Sequence, residues 1–117
     1  MDLNPVPRDG AVILTPAGRI DHASADAFQA ALQPHLDRCR PGAAPIVLDM
    51  HDLEYISSVG LRVLMMAARQ VKDQNGHIAV ARLSPLVKEV FEISRFDLVF
   101  DTFDSVDAAL AAARSGG

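Results

Sequence analysis

Asp49-Met-His-Asp-Leu-Glu-Tyr-Ile-Ser-Ser-Val-Gly-Leu-Arg-Val-Leu64 joins two kinds of hydrophobic pattern. On its N-terminal side, Pro45-Ile-Val-Leu-Asp49 is a short run of β-branched and aliphatic residues closing on an aspartate, the pattern of a buried strand. On its C-terminal side, Val63, Leu64, Ala67, Ala68 and Val71 recur every three or four residues, which places them on one face of a helix. Ser57 and Ser58 lie between the two patterns. A serine oxygen can accept a bond from an N–H that the first helical turn leaves unpaired, so one hydroxyl is expected at the helix mouth and the other free. A phosphate held there would meet free N–H groups and the positive end of the helix dipole. On the dipeptide alone, a cap without chemistry is the simpler reading.

Working outward, Leu3 to Arg8 is expected as an edge strand, since Pro5 and Pro7 are tolerated where N–H groups face solvent. Asp9-Gly10 is a tight-turn signal leading into a second strand, Ala11 to Thr15. A first helix, capped by Asp21 or Ser24, is expected through Arg38 with Ala27, Phe28, Ala31, Leu32 and Leu36 inward. Pro34 lacks an N–H and clashes with the carbonyl four residues back, so a kink or an early end is expected there. Asn75-Gly76 should close the central helix with a left-handed residue. His77 to Ala81 barely alternates, as a strand covered on both faces would. Ser84-Pro85 starts a third helix whose buried stripe is read as Leu86, Val87, Val90, Phe91 and Ile93. Asp97 to Phe100 reads as a short strand. Asp104 or Ser105 caps a last helix with Val106, Ala109, Leu110 and Ala113 inward, and Ser115-Gly-Gly117 is expected to fray. Strands alternating with helices after a hairpin predict an α/β fold, a mixed sheet of about four to five strands packed against about four helices.

The 117 residues are long enough for one core and too short for two domains. A net charge of -4 with both signs interspersed excludes the basic stripe of a nucleic-acid binder. Cys39 is the single cysteine, which rules out an internal disulfide and makes a reducing compartment the expectation. Met1-Asp-Leu-Asn-Pro5 has neither the basic start nor the apolar stretch of a signal peptide, and no run approaches the roughly 20 apolar residues of a membrane span, so a cytoplasmic protein is expected. His22, His35, His51 and His77 include no pair at i, i+4, so no metal site is expected, and no cofactor fingerprint is present.

Three motifs at matching spacing resemble the STAS domain, the fold of bacterial anti-sigma-factor antagonists, over nearly the whole of residues 1–117. Gly18-Arg-Ile-Asp-His22 is similar to the family's Gly-x-Leu-Asp turn before its first helix. Ile46-Val-Leu-Asp49 through Tyr55-Ile-Ser-Ser-Val-Gly-Leu61 is similar to its strand, loop and Asp-Ser-Ser/Thr-Gly-Leu phosphorylation site. Leu83-Ser-Pro-Leu-Val-Lys-Glu-Val-Phe91 is similar to its third helix. The resemblance implies a non-enzymatic regulator that binds an anti-sigma factor serine kinase, is phosphorylated by it on Ser58, and is reset by a PP2C-type phosphatase. It implies a partner surface of Asp21, Ser57, Ser58, Val59 and Gly60. Arg62, Met65 and Arg69, read with Met66 and Lys72 on the outward side of the central helix, extend that surface. Two positions depart from the family pattern: Ser57 stands where Asp is usual, and Val59 where Ser or Thr is common.

Other classes fit less well. No Gly-x-Ser-x-Gly elbow surrounds the serines, and no P-loop or dinucleotide fingerprint occurs, so an enzyme is not expected. A receiver-like domain phosphorylated on Asp49 would need an acidic pair after the first strand and a lysine at a late strand end, whereas Lys72 and Lys88 fall in helices. The alternative within the family is a non-phosphorylated scaffold subunit of a lipid-transport or stress-signalling complex.

Overall fold

The computed structural model describes residues 1–115. Val6–Arg8 (β1) and Ala11–Leu14 (β2) form the N-terminal hairpin, with Asp9 and Gly10 both at positive φ in its turn. Ile46–Asp49 (β4), Ile78–Ala81 (β6) and Thr102–Phe103 (β7) extend it into a five-stranded sheet of order β1-β2-β4-β6-β7. Only the hairpin is antiparallel; the other three pairings run parallel. The helices are α1 (Ala25–Arg38), α2 (Ser58–Asp73), α3 (Pro85–Ile93) and α4 (Val106–Ser115). The four helices and mixed five-stranded sheet agree with the α/β fold expected from the sequence.

Strand residues divide by parity between two cores. Leu14, Ile46, Leu48 and Val80 meet Phe28, Leu32 and Leu36 of α1, Leu61, Leu64 and Val71 of α2, and Val87 and Phe91 of α3. Ile13, Val47, Ala79 and Ala81 face the other way, against Ala109 and Leu110 of α4. That two-sided burial is why β4 and β6 read as unbroken apolar runs.

A second, two-stranded parallel sheet was not foreseen. Gly18–Ile20 (β3) pairs with Leu53–Ile56 (β5) in the register Ile20 with Ile56. The pairing continues one step further, for the Ser57 N–H donates to the Ile20 carbonyl at 2.8 Å. The two strands therefore end together, with α1 and α2 starting side by side.

Several sequence expectations need correction. Of the two outcomes expected at Pro34, a kink or an early end, the early end does not occur, and α1 runs on to Arg38 as its apolar period required. The carbonyl deprived of its donor belongs to exposed Ala30, where water can serve it, and buried Leu36 anchors the last turn. Ala27 lies on the exposed side of α1. Residues 97 to 100 are not a strand: Phe96–Leu98 is a 3-10 turn, and the last strand is Thr102–Phe103. Phe96 and Phe100 pack with Phe91, ring centroids 5.6 to 6.4 Å apart, so the aromatic spacing of four residues served a helical turn. In α3, Val87 and Phe91 are buried, but Leu86 and Ile93 are 50 % and 75 % exposed. At 100° per residue those two positions fall roughly 120° or more from the centre of the buried face. The expected fraying at Ser115-Gly-Gly117 involves Ser115, the last residue of α4, while Gly116 and Gly117 lie outside the described residues.

The far ends of α1 and α2 are joined. Asn75, at φ 58°, closes α2 with two backbone bonds, Asn75 N–H to Lys72 and Gly76 N–H to Val71. Gln74 Nε2 donates to the carbonyls of Leu36 (2.8 Å) and Cys39 (3.0 Å), satisfying the end of α1. The backbones approach so closely that a Cβ on Gly76 would stand 2.3 Å from the Cys39 carbonyl oxygen.

Candidate functional site

The site begins at the common end of β3 and β5. Ser57 is the N-cap of α2: its backbone is extended (φ -86°, ψ 174°) and its Oγ accepts from the Gly60 N–H at 3.3 Å. Ser58 is the first residue of the helix, exposed, and its hydroxyl makes no hydrogen bond among the described residues. One serine thus caps and the other is free, the division of labour expected from the pair.

Gly60 allows the first turn to sit down on the strand ends. A Cβ there would come within 2.7 Å of Ile56 Cγ1 and 2.8 Å of Ile20 Cγ2, both inside the core. Gly60 is buried and Val59 half-buried, so these two support the site from beneath.

Asp21 opens the turn leading into α1. Its Oδ1 accepts the N–H groups of Ala23 (3.0 Å) and Ser24 (3.2 Å), while Ser24 Oγ accepts the Asp21 N–H and donates to the Arg19 carbonyl. The Ala23 and Ser24 N–H bonds hold the carboxyl below its ordinary range, helped by the Ser24 hydroxyl and the positive charge of Arg19 against the opposing effect of burial. Ser24 is the N-cap by position but makes no side-chain cap of its own. The Ile20 to Ile56 register sets Asp21 beside Ser57. Arg19 lies over the Tyr55 ring, 4.6 Å from its centroid.

Along α2, Arg62 and Arg69 are exposed, as read. Met65 is not: it is half-buried and packs against the larger core. The methionine that faces solvent is Met66, 55 % exposed, one position round the helix.

A charged cluster escaped the sequence reading. Asp49, only 5 % exposed at the end of β4, takes a two-pronged bond from Arg82, Nε to Oδ1 at 3.0 Å and Nη2 to Oδ2 at 2.7 Å. His51 Nδ1 stands 2.9 Å from Asp49 Oδ1, and its Nε2 3.1 Å from Asp52 Oδ1. Burial raises the Asp49 pKa, but the hydrogen bonds from Arg82 and His51 outweigh it and the net direction is down. Arg82 sits at φ 58°, a left-handed conformation that turns its side chain back toward the end of β4. A left-handed non-glycine is invisible in sequence, and the two partners are far apart in the chain.

Among the described residues, no group of three or more His, Cys, Asp or Glu side chains is placed to hold a metal ion. No helix among them is long and apolar enough to cross a membrane.

A family model described as the STAS domain matches residues 3–109. The chain belongs to the STAS domain family. Its relatives in sequence include a candidate anti-sigma factor antagonist, BtrV, of Bordetella bronchiseptica, 39 % identical over 104 residues that span 89 % of this chain and 87 % of that protein. A solved structure of another candidate antagonist, from Thermotoga maritima, matches with a TM-score of 0.85 at 21 % identity, covering 96 % of this chain and 94 % of that one. Bacillus SpoIIAA shares the fold in its unphosphorylated form (TM-score 0.73, 17 % identity, 94 % and 93 % covered) and in its phosphorylated form (0.64, 18 %, 91 % and 93 %). STAS domains of this antagonist group are binding modules and not enzymes.

Proposed function

We propose that residues 1–117 act as one cytoplasmic STAS module that binds an anti-sigma factor serine kinase while Ser58 is unmodified and releases it once Ser58 is phosphorylated. In the modifying step the γ-phosphoryl group of ATP passes to Ser58 Oγ, leaving ADP and the hydroxyl proton; a PP2C-type phosphatase transfers that phosphoryl group to water, releasing inorganic phosphate and restoring the alcohol. The observation that carries this reading is the free, exposed Ser58 hydroxyl at the start of α2, beside a Ser57 already engaged as the cap. It is supported by relatives named as anti-sigma factor antagonists and by SpoIIAA having both an unphosphorylated and a phosphorylated form.

The docking face comprises Asp21, Ser57, Ser58, Arg62 and Arg69, with Val59 and Gly60 shaping it from below and Met66 taking the apolar role first given to Met65. Phosphorylation adds roughly -1.5 to -2 charges at pH 7, which a helix N-terminus tolerates, so the fold survives. The closed interface does not tolerate it, because a phosphate desolvated against a partner without a pairing cation is costly. A difference of about 2.7 kcal/mol corresponds to about 100-fold in affinity.

Titration calorimetry against the kinase tests this. Ser58→Ala is expected to bind as tightly as unmodified protein, and Ser58→Asp about 100-fold more weakly with an unchanged circular dichroism spectrum. Equal affinities for the two variants overturn the switch and leave the scaffold reading in its place. Phosphate recovered on Ser57 in place of Ser58 overturns the assignment of the acceptor.

A further inference from the structure

We propose that Arg62 is the intramolecular partner of phosphorylated Ser58, so that modification both adds a charge and withdraws the arginine from the docking face. The inference rests on Ser58 being the acceptor and adds a mechanism to it. Ser58 and Arg62 are four residues apart within α2, which sets their Cβ atoms roughly 6 Å apart on one side of the helix. Both are exposed. An anion N-terminal to a cation at this spacing is the favourable order, and a phosphate on Ser58, the first residue of α2, also meets the positive end of the helix dipole.

Arg62 is available for the role. Other arginines are engaged: Arg82 with Asp49, Arg8 with Asp107, Arg19 over Tyr55, and Arg40 with the Asp37 carbonyl. Arg62 makes no ion pair or hydrogen bond among the described residues. Its own helix offers no competitor, for the positions three and four residues away are Ser58, Val59, Met65 and Met66. Before modification its guanidinium is free for an acidic group on a partner; after modification the phosphate offers it three acceptor oxygens one turn away on the same helix. The two states therefore present a partner with a neutral hydroxyl beside a free cation, or with an ion pair carrying net negative charge.

The remaining charged and titratable groups around this helix start are Arg19 on β3, Asp21 and His22 in the turn that follows it, Asp26 in the first turn of α1 and Glu54 on β5. They are common to every variant below and cancel in the comparison.

The test uses the full chain with phosphoserine installed at position 58 during translation, read by phosphorus NMR as a pH titration. A second phosphate pKa near 6 is the reference. Arg62→Gln is expected to raise it by about 0.2 to 0.4 of a pH unit relative to the wild type, the size of an i, i+4 ion pair. Arg62→Lys should recover part of the difference, and Arg69→Gln, about three turns along the helix from Ser58, should not move it. The effect should fade in about 1 M salt, where screening reaches about 3 Å. The Arg62 Nε–H signal should move downfield in the phosphorylated protein alone. Identical titrations for the wild type and Arg62→Gln overturn the pairing. Because no kinase takes part in this measurement, that result would leave the Ser58 switch untouched, whereas loss of discrimination in the calorimetric test would remove the switch and leave the pairing intact.

Discussion

Helices α2 and α3 both start on a serine cap position, and the two starts use their hydroxyls differently. At α2, Ser57 turns its oxygen to the helix and caps the Gly60 N–H, while Ser58 stands exposed and unbonded behind it. At α3, Ser84 has the extended backbone of a cap (φ -65°, ψ 157°), but its Oγ turns away and donates to the Leu53 carbonyl at 3.1 Å. Pro85 follows it, a residue with no N–H to be capped. The α3 start is a joint that ties a helix to β5; the α2 start is capped with one hydroxyl to spare. A serine at a helix start therefore says little until the acceptor of its proton is known.

The contrast can be broken most forcefully at the partner. Ser58→Asp should lower kinase affinity about 100-fold, whereas Ser84→Ala should leave it unchanged; a comparable loss from both would mean that the two starts are equivalent surfaces.

A smaller effect is expected where the roots of the two starts are tied. Asp49 ends the strand whose chain leads through β5 to α2, and Arg82 begins the segment that leads to α3, so their ion pair staples the two together. Asp49→Asn should cost about 2 kcal/mol at pH 7, the range of hydrogen bonds to charged groups. The folded-state pKa of Asp49 lies below its ordinary value, so its contribution is present above about pH 4 and disappears as pH falls through the folded pKa. Urea midpoints of the wild type and Asp49→Asn should therefore converge in acid. A gap that stays constant between pH 7 and pH 3 would show that the carboxylate charge is not what holds the staple.

Next comes the packing beneath α2. Gly60→Ala should destabilise by about 1 to 2 kcal/mol even though alanine favours helix, because its Cβ meets Ile56 and Ile20 at 2.7 and 2.8 Å. A stabilised variant would show that the isoleucines yield.

The smallest effects separate the two adjacent serines. Ser57→Ala should cost about 1 kcal/mol as a lost cap, and Ser58→Ala less than about 0.5 kcal/mol as an exposed, unbonded side chain. The reverse order in chemical denaturation would exchange their roles.

Much of this was legible in the sequence because the signals were local. The 3.6-residue period of α2, the apolar runs of β4 and β6, Asp9-Gly10 and Asn75-Gly76 each mean one thing, and each formed what it predicted. Leu53-Glu-Tyr-Ile56 is buried at its two ends and open between them, without a two-residue alternation, and four residues preceded by an acid and paired with a three-residue strand give a weak signal. Phe96, Val99 and Phe100 carried helical spacing that a four-residue window hid. In the site, the two serines could be read from capping chemistry alone. The charged cluster could not, since it depends on a left-handed Arg82 meeting Asp49 across two parallel strands.

The junction between the far ends of α1 and α2 gives the molecule an internal clock. Cys39, the one cysteine in the sequence, lies in it, 1 % exposed, with its thiol pKa pushed up by burial. A thiol reagent cannot reach that sulfur while Gln74 holds the Leu36 and Cys39 carbonyls and Gly76 lies against them. Capture of the sulfur by an added reagent is consequently timed by the opening of this junction, and the chain carries its own stopwatch for the breathing of the two helices at the end remote from Ser58.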